Sequence, residues 1–377
     1  MVVPVNEPLL GDRELELVSQ CVRTGWISSS GRFIEEFEQR WAGYCGRRHG
    51  VAVCNGTVAL QLAVAALDLS PGDEVIVPTF TIISCATAIT LSGAVPVLVD
   101  ADPETWCMDV DQVASKITPR SRAIMPVHIY GHPVDMDALG ALAARHELAI
   151  VEDAAEAHGS ELLSGRASEA RWRRCGSFGR MSCFSFYANK PVTTGEGGMV
   201  LTDEEALAQR LRSLRNLCFH PGRRFAHDEL GFNARFTNLQ AALGVAQLER
   251  IDEIVARKRW IGRSYLERLA GISGLQLPVE RSWAHNIYWM FGVVLDEATG
   301  LDAAAFAERL LACGVETRPF FLGLHEQPAL RRLGLFAGQR YPVAERLARQ
   351  GLYLPSGLAL SAEQIDTVCA AVREVLA

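Results

Sequence analysis

Lysine is nearly missing from this chain. Of 377 residues, 37 are Lys or Arg, yet only Lys116, Lys190 and Lys258 are lysine. Arginine can carry surface charge, but its guanidinium does not form an imine with a carbonyl. A lysine kept inside a Gly/Thr-rich turn, as Lys190 is in NKPVTTGEGG, therefore calls for a chemical reason. Other shortages narrow the function. The ten cysteines form no Cys-x-x-Cys pair and no Cys/His cluster of zinc spacing, so no metal is expected. With no leader pattern at the N-terminus, free thiols in a reducing, cytoplasmic setting are expected. Apolar runs are too short, or too broken by Gly and Pro, for a membrane span. The net charge of −7 and the lack of a basic block argue against nucleic acid as a partner. No internal repeat is visible.

What is present reads as alternating strands and helices. Residues 1–10 are extended, and helices are expected from Gly11 to Thr24 and from Phe33 to Cys45. GVAVCNGTVALQLAVAAL then gives a strand, a small-residue turn at Cys54–Thr57 and a helix. Strands follow in DEVIVPTFT, VPVLVDAD, SRAIMPVHIYG and LAIVEDAAEAHG, with helices in TIISCATAITLSGA and from Asp135 to His146. This alternation predicts an α/β fold with a mostly parallel sheet covered on both faces. Ligands of such sheets sit beyond the strands' C-terminal ends, so Thr57, His128 and Asp153 should converge on one crevice. Residues 219–238 read as a long polar loop, functional or interfacial. Leu239–Leu269 reads as one long helix leading to a smaller α+β domain. The division expected is 1–250 for a large domain and 251–377 for a small one.

These pieces suit pyridoxal phosphate. That cofactor needs an amine, an acid for its ring nitrogen, an anion cradle for its phosphate and a wall on each ring face. Lys190 supplies the amine and Asp153 the acid. The 55–57 turn, where a strand feeds a helix N-terminus, supplies the cradle. Ala155 is small enough to lie flat under a ring. Plainer readings stand beside these. Asp153 can be a cap or a metal-binding acid, and His158 a satisfied core histidine. Ser185 faces away from Phe184 and Phe186 by alternation, toward a phosphate or toward backbone.

The runs VEDAAEAHGS, GSFGRMSCFSFYANKPVTTGEGGMVLTD, RFTNLQAALGVAQLERID, ETRPFF and PVAERLARQGLYLPSG resemble, in order and across nearly the whole chain, the DegT/DnrJ/EryC1/StrS family. The resemblance implies a pyridoxal-phosphate-dependent sugar aminotransferase of fold type I, like aspartate aminotransferase, working as a homodimer with shared active sites. It implies that an amino group passes from L-glutamate to a keto group of a nucleotide-linked deoxysugar. The segments Val127–Pro133 and Trp289-Met290 point to GDP-linked 4-keto-6-deoxymannose. A 3-keto sugar or ketocyclitol is the alternative, and a sugar dehydratase or a non-catalytic regulator lies further off. Lys190 is implied as the imine-forming lysine and proton shuttle, with Asp153 on the ring nitrogen and Glu156 near the ring oxygen. Gly56, Thr57 and Ser185 are implied at the phosphate. Asn233 would reach the phosphate of the neighbouring subunit, and Arg235 would contact a nucleotide diphosphate. His128, His325, Glu316 and Arg318 are the substrate-side candidates.

The sequence departs from the family pattern in several places. Ile82 stands where an aromatic ring often covers the cofactor, which suggests an apolar wall instead. Residues 165–175 are longer than the usual hairpin, and Arg180 stands where Asp is common. Both departures point to an altered site mouth or subunit contact. The segment LGLHEQPAL after ETRPFF is also unusual.

Overall fold

Alternation along one strand sets the layering. In β1 (His49–Val53), Val51 and Val53 enter one hydrophobic cluster and Ala52 enters another. The sheet built around β1 is therefore buried on both faces. Its other strands are β2 (Glu74–Pro78), β3 (Val95–Val99), β4 (Ser121–Ile124) and β5 (Ala149–Asp153). A hairpin of β6 (Glu161–Ser164) and β7 (Arg171–Arg174) precedes β8 (Met181–Ser185) and β9 (Gly198–Thr202). The seven-stranded order is β1-β9-β8-β5-β4-β2-β3. Only β9 runs against the rest, since it pairs antiparallel with both β1 and β8 while the other pairs are parallel. The fold is thus the mixed α/β of fold type I. The computed structural model describes residues 2–165, 169–223 and 225–377. Part of the expected enlarged hairpin, residues 166–168, lies outside the described residues.

One face carries helices Asp12–Thr24, Arg32–Tyr44 and Asn238–Glu249. Trp41 is its centre. The indole meets Phe184 and Phe186 edge-on, with ring centroids 5.1 and 4.9 Å apart. Such edge-to-face contacts add about 0.5–1.5 kcal/mol beyond area burial. His158 stands 5.1 Å from the same indole, in the core. The expected long helix 239–269 is two helices, Asn238–Glu249 and Ile251–Leu269. They break at Arg250, whose ψ of 25° leaves the helical range. Periodicity alone hides this break, because apolar spacing continues across it. Thr237 and Gln240 form a capping box at the start of the first helix.

The second helix leads to a four-stranded sheet of β10 (Leu275–Gln276), β12 (Phe291–Leu295), β13 (Arg318–Pro319) and β14 (Gly351–Leu354). This sheet packs on Ala362–Leu376 through its own cluster, which Val3 joins by bridging Val315. The two-residue β11 (Ala284–His285) instead pairs back onto β6.

Two acids near the hairpin show what holds this region. Glu152 is fully buried and accepts from Gly176 N–H, Phe178 N–H and His128 Nε2. Arg180 lies at the start of β8 and makes a two-pronged pair with Glu204 at 2.9 and 3.1 Å, both side chains exposed. That is the end of β8 opposite Ser185, so Arg180 does not shape the site mouth. Glu152→Ala should cost about 3 kcal/mol or more, because three buried donors lose their acceptor. Arg180→Ala should cost under about 1 kcal/mol. Denaturant melts of the two variants check this, and equal losses would contradict the assignment.

Candidate active site

Gly198 is the pivot of the site. The registers pair it with Val53 on one side and with Ser185 on the other. The turn after β1 and the end of β8 are thereby held at the same level across β9. A Cβ at Gly198 would lie 2.4 Å from Asn55 O, and one at Gly56 would lie 2.6 Å from Ser185 Cβ. Only glycines allow this close approach. Asn55 caps helix Gly56–Ala65 by accepting from Val58 N–H at 2.9 Å. Thr57 Oγ1 is 2.8 Å from Ser84 Oγ. A helix N-terminus, two hydroxyl-bearing residues and Ser185 thus face one space, which suits a phosphate.

That space is a cavity of about 430 Å³. Gly56, Thr57, Asp153, Ala155, Glu156, Ser185 and Lys190 all line it. Ile82 lines it too and is 42% exposed, an apolar wall where the family often has a ring. Asp153 ends β5. Its Oδ1 accepts from Ala155 N–H at 3.0 Å and its Oδ2 from the Cys85 thiol at 3.3 Å. Burial raises the Asp153 pKa, and it holds Cys85 well above the usual thiol range, so Cys85 stays a donor. Glu156 accepts from Tyr130 N–H at 2.8 Å, and its other oxygen is 3.9 Å from Lys190 Nζ. Tyr130 holds a left-handed φ of 51° to present that N–H.

Lys190 sits on a turn closed by its own N–H to Tyr187 O, and its side chain is 9% exposed. Two residues on, Val192 N–H donates to His158 Nδ1. His158 is kept neutral, its pKa pushed down to about 3 by burial, and its Nε2 has no partner among the described residues. Burial lowers the Lys190 pKa against the pull of Glu156 and Asp153, and it raises that of Glu156 against the pull of Lys190. The Nζ lies 3.4 Å from the centroid of the Trp289 ring. Trp289 Nε1 donates to Asn189 O at 2.9 Å, a contact between residues 100 positions apart.

Other candidates fall outside the cavity. His128 is wholly buried, with Nε2 on Glu152 and Nδ1 accepting from Val134 N–H. His325 is buried between Thr79 Oγ1 and Glu345. Their expected role in substrate contact is corrected, because both ring nitrogens of each are spent on the fold. Glu316 accepts from Val5 N–H. Arg318 is exposed and in register with Tyr353, which does line the cavity. Asn233 and Arg235, on the 216–237 loop, do not line this chain's cavity; Arg235 bridges Val53 at the end of β1 and donates to Asn216 Oδ1. Sequence reasoning missed Cys85 and Asn189, as well as Phe321 and Tyr353 from the second half of the chain. It also named Trp289 without a role. No local spacing links Cys85, Trp289, Phe321 or Tyr353 to Lys190.

The residues present fit pyridoxal phosphate. The donor set holds an amine, a buried acid and an anion cradle around one cavity, and the cradle has no room for a side chain at Gly56 or Gly198. Fold and site together define a pyridoxal-phosphate-dependent aminotransferase of fold type I. The DegT/DnrJ/EryC1/StrS aminotransferase family matches residues 8–373, and the chain belongs to it. It is 43% identical to the GDP-perosamine synthase of Caulobacter vibrioides over 376 residues, 99% of this chain and 98% of that protein. The aminotransferase TlmJ from Streptoalloteichus hindustanus superposes with a TM-score of 0.91 at 32% identity, covering 100% of this chain and 99% of the other. The sugar aminotransferase Spr1654 from Streptococcus pneumoniae, in its PLP-form, does so with 0.91 at 25%, again covering 100% and 99%.

If burial sets the Lys190 amine, its midpoint in cofactor-free protein should lie well below the roughly 10.4 of a free lysine side chain. The pH profile of labelling by an amine-directed reagent, read at the Lys190 peptide, measures it. A midpoint near that of a free side chain would show the amine is not desolvated.

Proposed function

We propose that this chain transfers an amino group from L-glutamate to C4 of GDP-linked 4-keto-6-deoxymannose, giving a perosamine-type product. The likeness to the Caulobacter GDP-perosamine synthase over nearly both full lengths supports this choice of acceptor. One observation carries the chemistry: a desolvated lysine amine shares a cavity with a buried acid and a helix-N-terminal cradle. When bound, pyridoxal phosphate supplies an aldehyde for amines and a ring that withdraws electrons from a neighbouring carbon.

The chain's residues do the rest. Gly56 and Thr57 N–H groups and the Ser185 hydroxyl would hold the phosphate. The Asp153 carboxylate, fixed by Ala155 N–H and the Cys85 thiol, would pair with the ring nitrogen and favour its protonated form. Glu156, anchored by Tyr130 N–H, would serve the ring oxygen. Lys190 Nζ would hold the cofactor's aldehyde carbon and, when free, would take a proton from the substrate carbon that bears the nitrogen and return one there in the reverse direction. Its lowered basicity leaves part of it neutral near pH 7, as a general base requires. Lysine at this position also opposes the dehydratase reading. A 3-keto sugar or a ketocyclitol remains the second acceptor to test.

The active form is a homodimer, in which Asn233 and Arg235 serve the phosphate and nucleotide of the neighbouring site. Neither lines its own cavity, and their loop leaves Leu230 96% exposed. Arg318 and Glu316 are kept as substrate-side residues. We place the enzyme in the cytoplasm. All ten cysteines are unpaired, and among the described residues no helix is long and apolar enough to cross a membrane.

Borohydride should fix pyridoxal phosphate to Lys190, and Lys190→Ala should lose at least about 10⁴-fold in amino transfer by removing the proton carrier. Substantial turnover by that variant would overturn the assignment. Glutamate-dependent conversion of GDP-, dTDP- and UDP-linked 4-keto and 3-keto sugars and a ketocyclitol decides the acceptor. A preference for any but the GDP-linked 4-keto sugar would reject the proposed substrate.

A further inference from the structure

Lys258 is the second of the three lysines with an unusual setting. It lies in the helix Ile251–Leu269 and is 2% exposed. Among the described residues no acid pairs with it. Its Nζ donates instead to two main-chain carbonyls, Trp289 O at 2.7 Å and Ser356 O at 2.5 Å. An unpaired buried ammonium is costly. Burial accordingly brings its pKa down to about 7. A neutral amine has two N–H donors, matching the two carbonyls. Arginine, which this chain uses almost everywhere else, stays charged and would bring five donors to two acceptors.

The two carbonyls belong to segments that frame the cavity. Trp289 lays its ring on Lys190 Nζ and gives its N–H to Asn189 O, next to Lys190. The Ser356 hydroxyl accepts from Phe291 N–H and donates to Leu354 O, fixing the strand after Trp289 against the one that carries Tyr353. The helix also packs flush here, since a Cβ at Gly262 would lie 2.3 Å from Tyr288 Cδ2. The indole position is therefore set from behind, through the main chain.

We propose that Lys258 is a positioning residue that holds Trp289 with its indole face against the catalytic amine of Lys190. The inference rests on Lys190 being that amine. A cation over an indole face is stabilised at short range, so Trp289 favours the charged form of Lys190 and tempers the effect of burial. Loosening Trp289 removes that support and lowers the Lys190 midpoint further.

The test uses full-length, cofactor-free protein. Having only three lysines makes labelling simple to assign. The pH midpoint of Lys190 labelling by an amine-directed reagent is measured for wild type, Lys258→Met, Trp289→Leu and the double variant. Lys258→Met should lower the midpoint by about half a unit to one unit, and Trp289→Leu should do the same. The double variant should shift no further than either single one. Should Lys258→Met fail to fold, Lys258→Gln, which keeps a donor, is read in the same way. A folded Lys258 variant with an unchanged Lys190 midpoint overturns the inference, and so do additive shifts. Failure of wild-type Lys190 to take up pyridoxal phosphate under borohydride would instead overturn the catalytic assignment itself.

Discussion

Burial of three ionisable groups around one cavity is the constraint on which the site depends. Asp153 and Glu156 are fully folded into the sheet edge, and the Lys190 amine is held beside them. In water, an amine between two acids would gain a proton more readily. Here desolvation is the largest influence on each group and overrides the attraction among them. It lowers the affinity of the amine for a proton and raises that of the acids. The result is a lysine that can be neutral, which imine formation and proton transfer both require. The neighbouring donors are placed so that the carboxylates tolerate this. Ala155 N–H and the Cys85 thiol serve Asp153, and Tyr130 N–H serves Glu156.

The backbone makes this possible through strand order. A lone antiparallel strand, β9, separates β1 from β8, and its first residue is glycine. That arrangement brings the Asn55–Thr57 turn to Ser185 without an intervening side chain. Asp153 arrives from the next strand, since β5 pairs with β8 and Asp153 with Cys183. Three chain segments far apart in sequence thus deliver a cradle, a hydroxyl and an acid in adjacent positions. The strongly buried His128–Glu152 pair supports the same edge from below, which explains why a histidine at a strand end is not a substrate residue.

The sheet, its two covered faces and the Lys190–Asp153–turn constellation were legible because each has a local signature. Apolar runs alternating with helices gave the α/β class, and lysine scarcity marked Lys190. What stayed hidden depends on distant contacts. The break at Arg250 falls within unbroken apolar periodicity. His128 and His325 differ from catalytic histidines only in what satisfies their ring nitrogens, which no spacing encodes. Ile82 was read as an apolar wall, and it lines the cavity as one. Arg180 looked odd beside the family pattern, yet it sits at the far end of β8 in a surface pair with Glu204.

The walls of the cavity come from both halves of the chain, and this bears on how the site is kept in register. The large sheet supplies the charged groups, whereas Trp289, Phe321 and Tyr353 come from the second half. A rigid connection between the two is therefore needed where the aromatic residues meet Lys190. Helix Ile251–Leu269 provides one connection, because its glycine lets it lie on Tyr288 and its lysine binds main chain on either side. The N-terminal segment provides another, with Val3 bridging Val315 and Asn6 donating to Asn189 O. Both converge on Asn189, the residue next to the amine. An amine set by burial on one side and an indole face on the other is sensitive to small displacements of the ring. Support from two independent segments at that point is what such tuning demands.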